Sequence, residues 1–449
     1  LSHSCHFAFH DASQRIAVVI DPDIVFWAIV SKRDLDSIVK REVLPLYERF
    51  KDDLVSEMHK FRFEVNLAAV YINPVDRCNA DCAYCYIPSV LRRNDFQMDK
   101  NQLKSVLAKI REYFKKRGYN SETKPVIVFH GSEPLLIKDT ILSAIETFQD
   151  FFHFGIQTNG LLLEEVDVGF FKRHGVNVGL SLDSPKRETN NLLRHAMDGE
   201  GTYDKVVQAI DWFDGYERLN VVSTVTNQNV EQLPELVSFL HRRKVSVVLL
   251  NPVRETQKSA QSLKPDQEKL IRYFIAAVER AIKLSKYSKN RIVIGNFANL
   301  VLGIIAPTAR RLMCDITPCG GGRCFLTIAA NGNMIPCGEF LGFKEFCGAN
   351  IFNSSIEEAM ESKAFRMVRS RVVEKIPECD VCAVRNICGA PCPAEVYATQ
   401  GNMFHPPTYC KFYEKLAKYA FRLVAENRIK YLFRDKALEN LEYVYNLTR

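Results

Sequence analysis

Long apolar runs are missing from this 449-residue chain, and none approaches the length of a membrane-spanning helix. The N-terminus carries no signal-peptide pattern, so nothing points to export and a cytoplasmic location is expected. The first residue is Leu, which suggests that the chain start has been processed or trimmed. Charge of one sign is concentrated nowhere: 60 basic and 53 acidic residues leave a dispersed +7. That balance argues against nucleic acid as a partner, as the missing runs argue against a membrane. Internal repeats and low-complexity tracts are absent too, so no repeat architecture is expected.

Cysteine, by contrast, is abundant. Fourteen are present in a chain with an ordinary 47% hydrophobic and 25% charged residues. In a reducing compartment that density points to metals or clusters rather than disulfides. Three of them, Cys78, Cys82 and Cys85, form a Cys-x3-Cys-x2-Cys loop directly after the apolar segment AVYINP. Three thiolates can bind three irons of a [4Fe–4S] cube and leave the fourth open for a small ligand. Zinc is the alternative, although zinc sites usually take four ligands in pairs.

The length implies two or three domains. In residues 1–64, CHFAFHD, RIAVVID and VFWAIV suggest short strands around a turn at ASQ. A helix with Leu35, Ile38, Val39, Val43 and Tyr47 on one face follows, interrupted by Pro45. From residue 66 strands and helices alternate, with strands at 69–74, 125–131, 153–160, 176–183, 220–227 and 245–253. The clearest helix carries Leu103, Val106, Leu107, Ile110, Tyr113 and Phe114, and Asp99 with Gln102 marks its start. Six such units imply a parallel sheet covered by helices, and periodicity alone does not separate a partial barrel from a doubly wound sheet. Residues 264–310 look helical and connecting, residues 314–410 are Cys-rich with little periodicity, and residues 411–449 return to helix.

The cysteine loop and its position after a strand resemble the signature of the radical S-adenosylmethionine (SAM) enzymes. The resemblance implies an α/β fold, a partial (β/α)6 radical SAM barrel over residues 65–310. It also implies that SAM binds the open iron, and that reduction yields a 5′-deoxyadenosyl radical able to abstract hydrogen from a C–H bond. HGSEPLL resembles the family's GGEP motif, whose backbone (here Gly131, Ser132 and Glu133) holds the SAM amino group. Ser132 stands for a glycine there, so close approach of the backbone requires a negative φ. QTNG places Thr158 and Asn159 near the ribose or the substrate, and GLSLDS places Ser181 and Asp183 at the polar edges of SAM. Arg194, before GEGTYDK, is similar to the family's arginine that pairs with the SAM carboxylate. Tyr84 corresponds to an aromatic packed near the adenine. His130 is expected to be structural, and Cys5 and Cys347 belong to no pattern.

Cys379-x2-Cys382-x5-Cys388-x3-Cys392, then Cys410, together with Cys319-x12-Gly332-x4-Cys337 upstream, resemble the SPASM extension of this family. The resemblance implies an auxiliary-cluster domain over residues 311–410 and a C-terminal helical extension over residues 411–449. It assigns Cys379, Cys382, Cys388 and Cys410 to an outer [4Fe–4S] cluster. It gives Cys319, Cys337 and Cys392 to an inner one, whose fourth ligand is Cys324, Cys314 or an open iron. Three [4Fe–4S] clusters are thus expected. Zinc remains the alternative for Cys-x2-Cys.

The chemistry implied is modification of a precursor peptide, thioether or other crosslink formation first, with flavodoxin or ferredoxin as reducing partner. Anaerobic sulfatase maturases, the alternative, carry an acidic residue after the second cysteine of the Cys…Gly-x4-Cys segment, where this chain has Gly338 and then Glu339. The small α+β unit of residues 1–64 would capture a leader peptide by strand addition or simply cap the barrel. Its deletion would then spare SAM cleavage. A small-molecule SPASM dehydrogenase, such as an aminocyclitol dehydrogenase, and a non-enzymatic electron carrier or zinc-binding interaction protein are the other classes.

Overall fold

The computed structural model describes residues 7–11 and 15–434. Cys5, the ASQ turn at 12–14 and the segment 435–449 lie outside the described residues. The chain divides into two compact units, one of Leu1–Val65, Gln267–Gly320 and Ser370–Arg449, the other of Asn66–Asp266 and Gly321–Arg369.

The first unit opens with an antiparallel sheet of β1 (Ala8–Asp11), β2 (Ile16–Asp21) and β3 (Phe26–Ser31). Val18, Val19 and Ile20 of β2 are fully buried, so this strand is covered on both faces. The helix expected to break at Pro45 instead continues. A π-turn at Val39–Val43 precedes the α-helical Leu44–Phe63, and the Leu44 N–H bonds five residues back to Val39 O. The wider turn shifts the hydrogen-bond ladder just where proline lacks its donor, so the helix absorbs it. Trp27 Nε1 donates to Ile304 O at 2.7 Å, and its ring meets Phe421 edge-on at 5.7 Å. Arg62 donates to Thr317 O and pairs with Glu374 at 2.8 Å. The helices Gln267–Tyr287 and Cys410–Ala425 pack through Phe274 and Phe412, 5.2 Å between centroids.

The second unit is built on parallel strands β4 (Ala69–Ile72), β5 (Val126–Phe129), β6 (His153–Thr158), β7 (Asn177–Ser181), β8 (Leu219–Val225) and β9 (Val247–Pro252). Each pairs with the next in the chain. A doubly wound sheet would reverse its strand order at a switch point. This one never reverses, which is the order of the open (β/α)6 barrel. Val70, Ile72, Ile127, Phe129, Val178, Leu180, Val221 and Val248 are fully buried along it. The helix Lys100–Lys115 starts on the Asp99–Gln102 capping box and buries the six apolar residues named above.

Beyond β4 the sheet gains a strand from the cysteine-rich region. Phe325–Ile328 runs parallel to β4 and then turns antiparallel into Asn333–Ile335. The turn is Asn331-Gly332, with Gly332 at φ +85°. The low periodicity expected for this region missed the hairpin, although FLTI followed by Asn-Gly is a strong short-range signal for one. No helix among the described residues is long and apolar enough to cross a membrane.

Candidate cluster and cofactor site

The loop after β4 is held on both sides by backbone bonds. Asp76 and Cys78 donate to Phe96 O and Arg92 O at 2.9 and 3.3 Å, while Asp81 and Ala83 donate to His195 O and Leu193 O at 2.9 and 3.1 Å. Side chains add to this: Arg92 pairs with Asp81 at 2.8 Å, and Asn159 Nδ2 donates to Asn79 Oδ1 at 2.8 Å and to Cys78 Sγ at 3.8 Å. Burial pushes the Cys78 thiol up to about 12 and the Cys85 thiol to about 11, with Cys82 adding to both. Burial raises the Cys82 thiol as well. Such a trio ionises readily only against a metal, which supplies the compensating charge. The donor set therefore fits an iron–sulfur cube bound through three corners.

Behind the loop, the HGSEP turn adopts an unusual backbone. Gly131 has φ +74°, and a Cβ there would lie 2.3 Å from the Asn73 side chain. Ser132 also has positive φ, +36°, contrary to the negative value expected for it. Its Oγ donates to Asp76 O at 2.5 Å, a bond that ties the strained residue to the cluster loop. Glu133 is fully buried; Oε1 accepts from Leu135 N–H and Thr158 Oγ1, and Oε2 from Asn159 N–H, at 2.7–2.9 Å. Burial raises its carboxyl despite these donors. Thr158 and Asn159 thereby brace Glu133, and Asn159 also braces the cluster loop. Asn73, which the sequence reading passed over, has a buried Oδ1 without a partner.

A second buried group joins three residues that the sequence treats separately. Tyr84 Oη donates to Asp183 Oδ2 and accepts from Arg194 Nη1 at 2.5 Å. Asp183 Oδ1 accepts from the Thr224 N–H at 2.8 Å. Burial raises the Asp183 carboxyl, with Arg194 opposing. Burial also works against the Arg194 charge, but Cys82, Tyr84 and Asp183 outweigh it and hold the guanidinium well above its usual range. The Tyr84 ring packs with Leu193, Val253 and Ala260, and Cys82 lies against that cluster. Ser181 ends β7 opposite Val222. Arg194 Nε is buried with no hydrogen-bond partner among the described residues. An unmet guanidinium N–H near the cluster loop suits a carboxylate ligand.

Near Cys337, Gly338 leaves space where a Cβ would lie 3.5 Å from Tyr86 Oη, 3.8 Å from Thr327 Oγ1 and 3.9 Å from His130 Nδ1. Burial pushes the His130 imidazole down to about 4, so it is neutral at pH 7. Cys324 sits where its carbonyl accepts from Ala68 and Ala69, and its thiol is raised by burial. These residues belong to the second unit.

In the first unit, Cys379, Cys382, Cys388 and Cys410 line one pocket with Val373, Ala390 and Pro407. Burial pushes Cys379 up to about 12, and Cys410 and Cys382 add to it. Cys319 and Cys392 are buried in the same unit, whereas Cys314 is exposed, as is Cys347 of the second unit. Among the described residues no three His, Cys, Asp or Glu side chains stand close enough to hold a single metal ion. The four cysteines ring a pocket rather than a point.

Residues 72–240 match the Radical SAM superfamily, and residues 319–383 match SPASM, an iron–sulfur cluster-binding domain. This chain is a radical SAM enzyme with a SPASM domain. Its cofactors are accordingly SAM and iron–sulfur clusters. An uncharacterised protein of Archaeoglobus fulgidus is 44% identical over 426 residues, spanning 95% of this chain and 96% of that protein. A cysteine-type anaerobic sulfatase-maturating enzyme of Clostridium perfringens is 25% identical over 374 residues, spanning 79% of this chain and 96% of that enzyme. Among solved structures, anSMEcpe with bound AdoMet superposes with TM-score 0.70 at 19% identity, covering 84% of this chain and 98% of that one. Streptococcus suis SuiB bound to its precursor peptide SuiA gives TM-score 0.59 at 16% identity, covering 91% and 99%. The two structural likenesses establish the radical SAM/SPASM fold.

Proposed function

We propose that this radical SAM/SPASM enzyme modifies a precursor polypeptide by oxidising one of its residues, with thioether or other crosslink formation as the outcome. The observation that carries the reading is the second cysteine pocket, four thiols around one cavity in addition to the three of the barrel loop. A cluster with SAM bound would supply, on one-electron reduction, the chemistry that takes hydrogen from an unactivated C–H bond. Cys78, Cys82 and Cys85 hold that first cluster in this reading. Arg194 Nε orients the SAM carboxylate, and Asn73 Oδ1 with the Gly131 turn takes its amino group. Asp183 and Tyr84 fix the angle of Arg194 and exclude water behind it. Glu133, Thr158 and Asn159 act indirectly, by holding the turn and the cysteine loop together.

Cys379, Cys382, Cys388 and Cys410 hold an outer auxiliary cluster, and Cys319, Cys337 and Cys392 keep the inner assignment that the family pattern gives them. Cys314, exposed, is the weaker fourth ligand and the half-buried Cys324 the stronger. That makes three clusters. When bound, an auxiliary cluster would accept the electron left on the substrate radical after hydrogen abstraction, and a low-potential carrier such as flavodoxin or ferredoxin would supply the separate electron that cleaves SAM.

Oxidation of a cysteine or serine, as in sulfatase maturation, is the second reading, favoured by the extent of the match to the Clostridium perfringens enzyme. Gly338 weighs against it, because a base is missing where such maturases carry an acidic residue. Anaerobic incubation with cysteine-containing peptides, followed by mass analysis and thiol alkylation, separates the two. Loss of two hydrogens with sulfur retained and the thiol blocked is the expected result. Release of sulfide with a new aldehyde would establish the second reading, and peptides returned unchanged while SAM is cleaved would remove both.

A further inference from the structure

Arg371 is buried to 2% exposure in the first unit. Among the described residues its guanidinium donates only to backbone carbonyls: Nε to Met403 O at 2.5 Å, Nη1 to Ala390 O at 2.8 Å and Nη2 to His405 O at 3.2 Å. No carboxylate is among these partners. A guanidinium taken out of water without a counter-charge costs several kcal/mol, which neutral carbonyls offset only in part. Burial accordingly lowers its affinity for its proton, and the groups that oppose this are the sulfurs of Cys319, Cys392, Cys379 and Cys388.

The placement of the carbonyls adds a second, geometric observation. Ala390 lies between Cys388 and Cys392, and it lines the pocket of Cys379, Cys382, Cys388 and Cys410. Met403 and His405 belong to the loop that leads into Cys410 at the start of its helix. One side chain therefore fastens the loop of Cys388 and Cys392 to the loop that leads into Cys410, and sulfurs from both assigned ligand sets act on its charge.

We propose that Arg371 is the buried counter-charge of the auxiliary clusters, a positioning residue that fixes their cysteine loops and makes the clusters easier to reduce. The inference rests on the reading of these cysteines as cluster ligands. Cluster potentials follow net charge, hydrogen bonding and exposure. A fixed positive charge in a low-dielectric interior stabilises the added electron, so its removal drives the potential more negative. A purely structural staple would hold the loops without setting the potential.

The test uses the full-length chain with Cys78, Cys82 and Cys85 changed to Ala, so that only auxiliary clusters contribute, and measures iron content and EPR-monitored midpoint potentials under dithionite titration. A background protein without iron would defeat the auxiliary-cluster reading itself. With iron present, Arg371→Gln is expected to shift the potentials negative, while Arg371→Lys, which keeps the charge but not the three-carbonyl fork, stays near the parent. Equal potentials in the parent and the Gln variant would overturn the inference, as would equal shifts in Gln and Lys. If the Gln variant loses its iron, retention by Lys supports the counter-charge, and equal loss from both variants refutes it.

Discussion

Arg194 illustrates how far single residues can be read from sequence and where that stops. Its position before GEGTYDK suggests a carboxylate partner, but nothing in the string announces that Tyr84 stands between it and Asp183. That link is made by residues 110 and 99 positions apart in the chain. The unmet Nε makes a quantitative expectation possible. Arg194→Met should weaken SAM binding to the reconstituted protein by about 10- to 150-fold, the range for a lost charged hydrogen bond of roughly 1.5–3 kcal/mol. Equilibrium dialysis checks it, and unchanged affinity would assign the guanidinium to the fold alone. His130 supplies a pH dependence. Its imidazole is pushed from 6.5 down to about 4 in the folded state. Its neutral burial therefore contributes stability above pH 6.5, and that contribution is lost as pH falls towards 4. Melting curves of the apoprotein should show this decline, and His130→Gln should flatten it.

The strands and their caps were legible because their signals are local. Five of the six parallel strands fall inside the apolar segments that suggest them and β8 starts one residue early at Leu219, while Asp99 with Gln102 starts its helix as the capping pattern requires. Three features were not legible. Ser132 adopts a positive φ because Asp76 O accepts its hydroxyl, a tertiary contact that no propensity contains. Pro45 is passed through a π-turn, which depends on how the preceding residues wind. Phe325–Ile328 joins the sheet beside β4 across more than 250 residues of chain, so only its Asn-Gly turn was visible locally. The HGSEP turn yields the prediction that belongs here. Gly131→Ala combines a φ of +74° with a Cβ 2.3 Å from Asn73. It should destabilise the chain by about 1–3 kcal/mol, the usual cost of such strain, and abolish SAM binding even where the fold survives. Calorimetry and dialysis on the same preparation test both parts.

Taken as an assembly of contacts, the chain does not present residues 1–64 as a detachable piece. Trp27 reaches Ile304, Arg62 reaches Thr317 and Glu374, and Asn386 donates to Pro22 O. Removing a single buried Trp side chain costs about 3–5 kcal/mol, against a total stability of about 5–15 kcal/mol for a typical domain. Deletion of residues 1–64 should therefore yield protein that loses the Cys379–Cys410 pocket, seen as reduced iron after reconstitution. Full iron content in the truncated protein would refute this. Leader capture by the N-terminal sheet is better tested with substitutions along β1, which keep the contacts of Trp27 to Ile304 and of Arg62 to Thr317.

The account as a whole depends on Cys78, Cys82 and Cys85 acting together on SAM. The most direct measurement is 5′-deoxyadenosine formed by the anaerobically reconstituted protein given SAM and dithionite, compared with Cys82→Ala. The native chain is predicted to release 5′-deoxyadenosine and methionine in equal amounts, and the variant neither. A native chain that releases none, or a Cys82→Ala variant that matches it, would contradict the account.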